Sequence, residues 1–153
     1  SFLPEMLKRD SGHIVNMTSY PGYMPFAGGT AYIVSRTAMV GFTNALRADF
    51  YHSKLKSSIA YFAKVKSSYW ENNPGSEERI PKAQVIIPVI SEEKAAKIIV
   101  KGVAKGKRKI RGPFMLKVVE FLTYWTPFIT RFIMDKTSYK RNLNKKAHPN
   151  LSG

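Results

Sequence analysis

The sequence predicts an α/β fold built on a parallel sheet, and three observations carry the prediction. His13-Ile-Val-Asn-Met17 is a short β-branched run that reads as a buried strand. From Thr30 to His52 apolar residues recur at helical spacing: Ala31, Val34, Ala38, Phe42, Ala45, Leu46 and Phe50. Ser58-Ile-Ala-Tyr-Phe62 then reads as a second strand. Strand, helix and strand in this order make a right-handed parallel βαβ unit.

The other elements follow in order. Residues 1–10 read as the end of a helix, closed by Asp10-Ser-Gly12. Ser19 to Gly29 is a loop holding two Pro and three Gly. Thr30 is the expected N-cap of the long helix. Ala31, Ser35, Ala38 and Gly41 cluster on one side of that helix, which suits close packing against another helix. Residues 64–90 are irregular, since Asn73-Pro-Gly75, Pro81 and Pro88 interrupt any long element. Ser91-Glu-Glu-Lys94 opens a helix with a capping hydroxyl and two acids in the first turn. Ala95, Ile98, Ile99 and Val103 form its apolar face, and Gly106 ends it. Lys107-Arg-Lys-Ile-Arg111 is expected as a short exposed strand. No internal repeat is present.

The 153 residues suffice for one domain. There is no cysteine, hence no disulfide frame and no thiolate metal site. That fits a reducing compartment, and with no leader-like pattern at the start the expected location is the cytoplasm. His13, His52 and His148 are scattered, so no metal site is expected. Net charge is +15, a surplus that attracts polyanions. Between Lys94 and Lys117 stand nine Lys or Arg and no acid, and Lys136 to Lys146 adds five more. These blocks flank an apolar, aromatic segment, Pro113 to Met134. The arrangement favours an anionic membrane surface over nucleic acid, for which no motif is present. The other reading is a solvated helix face with a basic tail.

The segment from Pro113 is about long enough to span a bilayer. Lys117, Glu120 and Arg131 argue against spanning, and Pro127 would break a helix there. An interfacial segment with Tyr124 and Trp125 at headgroup level is one expectation. A helix pair closing over the protein's own core or cleft is the alternative. Residues 137–153 are expected to be a disordered basic tail.

Candidate chemistry centres on Tyr32, Arg36 and Ser19. Tyr32 and Arg36 are four apart on one helix and share a face. A phenol beside a fixed cation can pass a proton to a ketone oxygen as hydride arrives at carbon. Ser19 ends a strand, where its hydroxyl can hydrogen-bond that oxygen. By spacing alone, a Tyr and an Arg so placed also read as a surface stacking pair.

Ser11-Gly-His-Ile-Val-Asn-Met-Thr-Ser19, followed by Tyr32, Ser35, Ala38, Gly41, Phe42, Thr43, Leu46 and Arg47, resembles the active-site half of the short-chain dehydrogenase/reductase family across residues 1–67. The resemblance implies a partial Rossmann-like, doubly wound parallel sheet, about strands five to seven of the family fold, with a C-terminal helical extension. It implies NAD or NADP as cofactor. On that basis Ser19 corresponds to the substrate-carbonyl serine and Tyr32 to the acid/base tyrosine, and Tyr32 is also implied to contact the cofactor. Arg36 stands at the position of the family's lysine, which holds the nicotinamide ribose. Val65 and Ser67 stand where the family contacts the carboxamide. Weaker similarity, through Asn73-Pro-Gly-Ser76 and residues 91–134, is to membrane-associated members acting on lipophilic ketones or alcohols. In the family the helix here spanning 31–52 packs against a dimer mate, so a homodimer is implied.

The chain departs from the family pattern at four points. Arg36 replaces lysine, a swap that keeps charge but changes shape. Phe62-Ala63 replaces Pro-Gly after the second strand, with Phe62 expected to intrude on the nicotinamide. No Gly-x-x-x-Gly-x-Gly occurs in the 153 residues. The family's catalytic Asn lies upstream of the matching region. The expectation is therefore a truncated, inactive half: residues 1–112 as part of a Rossmann-like domain, 113–136 as an apolar helical segment and 137–153 as tail. The alternative is a non-catalytic membrane-binding or dimer-forming remnant.

Overall fold

The computed structural model describes residues 2–138, apart from the side chain of Trp70. Three parallel strands form one sheet in the order β1 (His13–Ser19), β2 (Lys56–Phe62), β3 (Lys109–Gly112). Ile14 pairs with Ser57 and Ser19 with Phe62; Ile110 pairs with Ala60. The helices are α1 (Leu3–Lys8), α2 (Thr30–Asp49), the single turn α3 (Tyr69–Asn72), α4 (Glu92–Ala104), α5 (Phe114–Trp125) and α6 (Pro127–Thr137). The expected α/β architecture with a helical C-terminus is what the chain adopts. Of the expected tail, Thr137 is the last residue of α6, and the residues beyond Ser138 lie outside the described ones.

Helices cover both faces of the sheet, and strand alternation sorts the side chains. On one face lie Asn16, Thr18, Ile59 and Tyr61, under α2 and α5. Asn16 Nδ2 donates to Thr43 Oγ1 at 3.0 Å, and Thr18 Oγ1 donates to the Arg36 carbonyl at 3.0 Å. On the other face Phe62 packs with Ile90 and Ala95 of α4. Gly102 lets α4 lie directly on β3, since a Cβ there would stand 2.7 Å from Ile110 Cγ1. Ile110 is buried, so β3 is an edge strand with one inward side chain and not the exposed strand expected.

The ends of α4 are as read from the sequence. Ser91 Oγ accepts the Lys94 N–H at 3.2 Å. Gly106, at φ +58°, closes the helix with Lys107 N donating to the Gly102 carbonyl and Gly106 N to that of Val103. Helix α2 is different. It ends at Asp49, short of His52, and its N-cap is Gly29, with Thr30 already helical and making no side-chain cap.

The face of α2 that meets the sheet is also not the one its apolar residues suggest. Met39, Val40, Thr43, Leu46 and Phe50 turn inward, whereas Ala31, Val34, Ala38, Phe42 and Ala45 are exposed. The inner face is partly polar because the sheet beneath it is polar: Thr43, Asn16 and Ser57 bond one another and the backbone. The apolar residues read from the sequence therefore divide between this outer stripe and the inward Leu46 and Phe50.

One core joins the sheet to the C-terminal helices. Tyr20, Met24, Ile59, Tyr61 and Ile87 pack with Leu116 of α5 and Met134 of α6. Pro127 opens α6 at its first turn, so the break expected there is a helix junction. Glu120 faces inward and gathers three partners: the Tyr61 hydroxyl donates at 2.8 Å, Lys109 Nζ lies at 3.1 Å and Arg111 Nε at 2.5 Å. The Arg111 contact is Coulombic, since Arg111 Nε and Glu120 Oε2 do not align as a hydrogen bond. Among the described residues no helix is long and apolar enough to cross a membrane.

Candidate active site

The C-terminal ends of β1 and β2 define the site, as expected for ligand positions in open parallel sheets. Ser19 is the last residue of β1, and its hydroxyl reaches the Phe62 carbonyl at the end of β2, 3.5 Å away. The chain then makes a 3-10 turn, Tyr20–Gly22, with Tyr20 anchored in the core. Gly22 passes against α2 so closely that a Cβ would lie 2.9 Å from the Arg36 carbonyl oxygen. This close approach lays the loop after β1 alongside the first turns of α2.

Ser19 and Tyr32 consequently face one cavity of about 290 Å³, with Pro21, Phe26, Ala63, Tyr69, Asn73 and Gln84 among its walls. The segment after β2 closes it from above. Arg79 Nη1 donates to the Gly28 carbonyl at 3.2 Å, and Lys64 pairs with Glu77. The sequence reads residues 64–90 as irregular, which hides this role. The similarity at Asn73-Pro-Gly-Ser76 was the available signal, since Asn73 and Ser76 both line the cavity.

Arg36 takes a different position. Its Cζ lies 4.7 Å from the centroid of the Tyr32 ring, stacked on the face of the phenol. It does not line the cavity. Its Nε is buried and has no hydrogen-bond acceptor among the described residues. Val65 bridges to Ile90, packed against Phe62 and Ala95. That bridge uses the Lys64 carbonyl and the Lys66 N–H, not the polar groups of Val65. The Ser67 hydroxyl accepts the Tyr69 N–H at 3.4 Å, where α3 begins. The structure thus brings Ser19 and Tyr32 together, with Arg36 behind the ring, and places Val65 and Ser67 outside their cavity.

Phe62 does not intrude. It is the last residue of β2 and alternation sends it to the α4 side, so Ala63 lines the cavity instead. Below the site the phenols of Tyr61 and Tyr23 meet at a tilt of 40°, centroids 4.5 Å apart. Burial, then the Glu120 carboxylate, pushes Tyr23 up to about 12. Burial and the hydrogen bond to Glu120 raise Tyr61 further. Both stay protonated, so neither is a proton donor suited to neutral pH. No cluster able to hold a metal occurs among the described residues.

A family model described as short chain dehydrogenase matches residues 1–76. A protein of Mycobacterium tuberculosis that carries the name oxidoreductase SadH is 31% identical over 129 residues, 80% of this chain and 47% of that protein. A fatty acyl-CoA reductase of Acinetobacter baylyi is 26% identical over 110 residues, 72% of this chain and 35% of that protein. A short chain dehydrogenase from Burkholderia cenocepacia, solved in complex with NADP, superposes with a TM-score of 0.69 at 14% identity, over 87% of this chain and 51% of that one. The chain belongs to the short-chain dehydrogenase/reductase family of oxidoreductases. It spans about half the length, or less, of these relatives.

Proposed function

We propose that this chain supplies the catalytic and substrate-facing half of an NAD(P)-dependent oxidoreductase that interconverts a ketone and a secondary alcohol. The observation that carries the reading is the shared cavity of Ser19 and Tyr32 at the ends of two parallel strands. The residues fit the nicotinamide end of such a cofactor in part: Ser19 and Tyr32 face the cavity, whereas Arg36, at the ribose-holding position, stacks on Tyr32 and does not line it. When bound, the cofactor supplies or takes a hydride at the substrate carbon. Ser19 hydrogen-bonds the carbonyl oxygen, and Tyr32 gives that oxygen its proton, so ketone, hydride and proton balance to an alcohol. Arg36 holds the ring of Tyr32 in place through its stacked guanidinium. In this role Val65 and Ser67 would offer backbone and hydroxyl groups to the carboxamide.

A lipophilic substrate fits the cavity walls, where Phe26, Tyr69, Ala63 and Ile80 accompany few charges. The name of the Acinetobacter relative points the same way. Homodimer formation fits the outer stripe of α2. Val34 and Phe42 are exposed there, and a Cβ on Gly41 would meet nothing within 4 Å. An outward apolar stripe on a helix whose other side already meets the sheet is built to be covered as well.

The test joins this chain to the N-terminal half found in the relatives and supplies deuteride-labelled NADPH with a panel of long-chain and cyclic ketones. Deuterium in the product alcohol supports the reading. Cofactor binding without transfer to any ketone favours the second reading, a non-catalytic remnant, for which the stacked and cavity-averted Arg36 is the specific observation.

A further inference from the structure

We infer that α4, β3 and the α5–α6 pair form a docking surface for an anionic phospholipid bilayer. A groove of about 1,040 Å³ runs along the free edge of β3 between α4 and the start of α5, and no acid lines it. Lys109 and Arg111 turn their charge to Glu120. Lys94, Lys101, Lys107, Arg108 and Lys117 have no carboxylate partner among the described residues. The groove is thus a set of uncompensated cations on one edge of the sheet.

The groove opens onto an apolar helix face. Leu116, Val119, Glu120 and Thr123 define the inner side of α5. At 100° per residue its opposite side carries Phe114, Val118, Phe121 and Trp125. Phe114 is 75%, Phe121 61% and Trp125 67% exposed. Phe114 and Lys117 are groove walls as well, so the cationic and aromatic surfaces share residues. Helix α6 repeats the arrangement. Met134 faces the core, while Ile129 and Phe132 face out, with Lys136 Nζ 5.5 Å from the Phe132 ring.

Aromatic side chains on short helices beside free lysines match the chemistry of a headgroup boundary: acyl carbons for the rings, phosphates for the ammonium groups. Helices of 12 and 11 residues cannot span a bilayer, so the pair lies in its surface. The charge argues against two other occupants, a second copy and the chain's own C-terminus. A second copy seated groove to groove would set these cations against themselves. The chain's own C-terminal residues add Lys140, Arg141, Lys145 and Lys146, of the same sign. Helix α5 leaves the same end of the sheet at which Ser19 stands, so docking brings the cavity mouth toward the lipid. The proposal does not depend on the chemistry proposed above.

Co-sedimentation of the 153-residue chain with phosphatidylcholine vesicles, with and without phosphatidylserine, tests it. The chain is expected to partition to the anionic vesicles and less to the neutral ones, with salt weakening binding without abolishing it. The triple variant Lys94→Glu/Lys101→Glu/Lys117→Glu is expected to lose about tenfold or more in partitioning. Phe121→Ser/Trp125→Ser is expected to make the residual high-salt binding disappear. In a Trp70→Phe background, Trp125 fluorescence should shift to the blue and be quenched by brominated acyl chains. Circular dichroism checks that each variant is folded. Failure to bind either vesicle, or variants that bind like the parent, overturns the proposal. So does a dimer in light scattering that Phe121→Ser/Trp125→Ser dissolves while vesicle binding is absent, which would assign the face to a second copy.

Discussion

The guanidinium of Arg36 lies over the ring of Tyr32, with Cζ 4.7 Å from the ring centroid. Both side chains sit in the first two turns of α2, and the loop after β1 passes over the Arg36 backbone at Gly22. The cation therefore supports the phenol from behind while the cavity lies in front of it. A planar, weakly hydrated guanidinium can stack in this way; an ammonium is a compact, strongly hydrated point charge.

Substituting Arg36→Lys in a protein carrying both halves should raise kcat/KM for ketone reduction, because the freed ammonium can turn toward the ribose instead of stacking. The same substitution in the 153-residue chain alone should give no turnover. Steady-state NADPH oxidation measures both. Equal kcat/KM for parent and variant in the two-half protein would remove Arg36 from the account.

The 153-residue chain by itself should bind NADPH more weakly than about 1 mM, roughly −4 kcal/mol. Its residues serve the nicotinamide end, whereas the pyrophosphate needs a Gly-rich turn at a helix N-terminus, and no such motif occurs in the sequence. Isothermal calorimetry or NADPH fluorescence reads this. Saturable binding tighter than that limit would contradict it.

Leu116→Ala should destabilise the fold by about 2–5 kcal/mol, since the side chain is fully buried among Tyr20, Ile59 and Tyr61. Phe121→Ala on the opposite side of α5 should cost less than about 0.5 kcal/mol. Urea midpoints for the two variants decide whether α5 packs as described; equal losses would count against it. Such an asymmetry is also what separates the two expectations for residues 113–134. The helix pair closes over the core through Leu116 and Met134 and keeps an aromatic face outward.

Much of the architecture was legible because it rests on local signals. The βαβ order follows from three short periodic runs, and the Ser91 cap, the Gly106 stop and the break at Pro127 each follow from a residue type at one position. The face of α2 was not legible, because its inner stripe contains Thr43, and the polar residues Asn16 and Ser57 lie beneath it. Nor was the Tyr61–Glu120 bond, which joins residues 59 apart in sequence. At the site, the family spacing brought Ser19 and Tyr32 to notice. The contribution of residues 69–84 to the cavity was hidden, since an irregular segment has no period to read.

Stability should fall as pH drops below the ordinary histidine range, and His13 should be responsible. Burial, then the Lys56 ammonium, holds the His13 imidazole below 6.5. The Ser58 hydroxyl donates to the Lys107 carbonyl at 2.7 Å, so at 2.6 Å it accepts from His13 Nε2–H. The unfolded chain binds the proton near 6.5 and the folded chain only at lower pH. Stability is thus full above 6.5 and is lost as pH falls through that value toward the folded one. Urea midpoints from pH ~7 to ~5.5 should decline for the parent and stay nearly flat for His13→Gln. An equal decline in both would place the titration elsewhere.

If Ser19 and Tyr32 act on one carbonyl oxygen, single-turnover ketone reduction in the two-half protein depends on both. Tyr32→Phe should lower the hydride-transfer rate by about 10²-fold or more, with NADPH affinity changed little. Ser19→Ala should lower it by a comparable factor. The double variant should fall short of the product of the two losses, because both side chains serve the same oxygen. Hydride transfer at the parent rate in Tyr32→Phe would contradict the account.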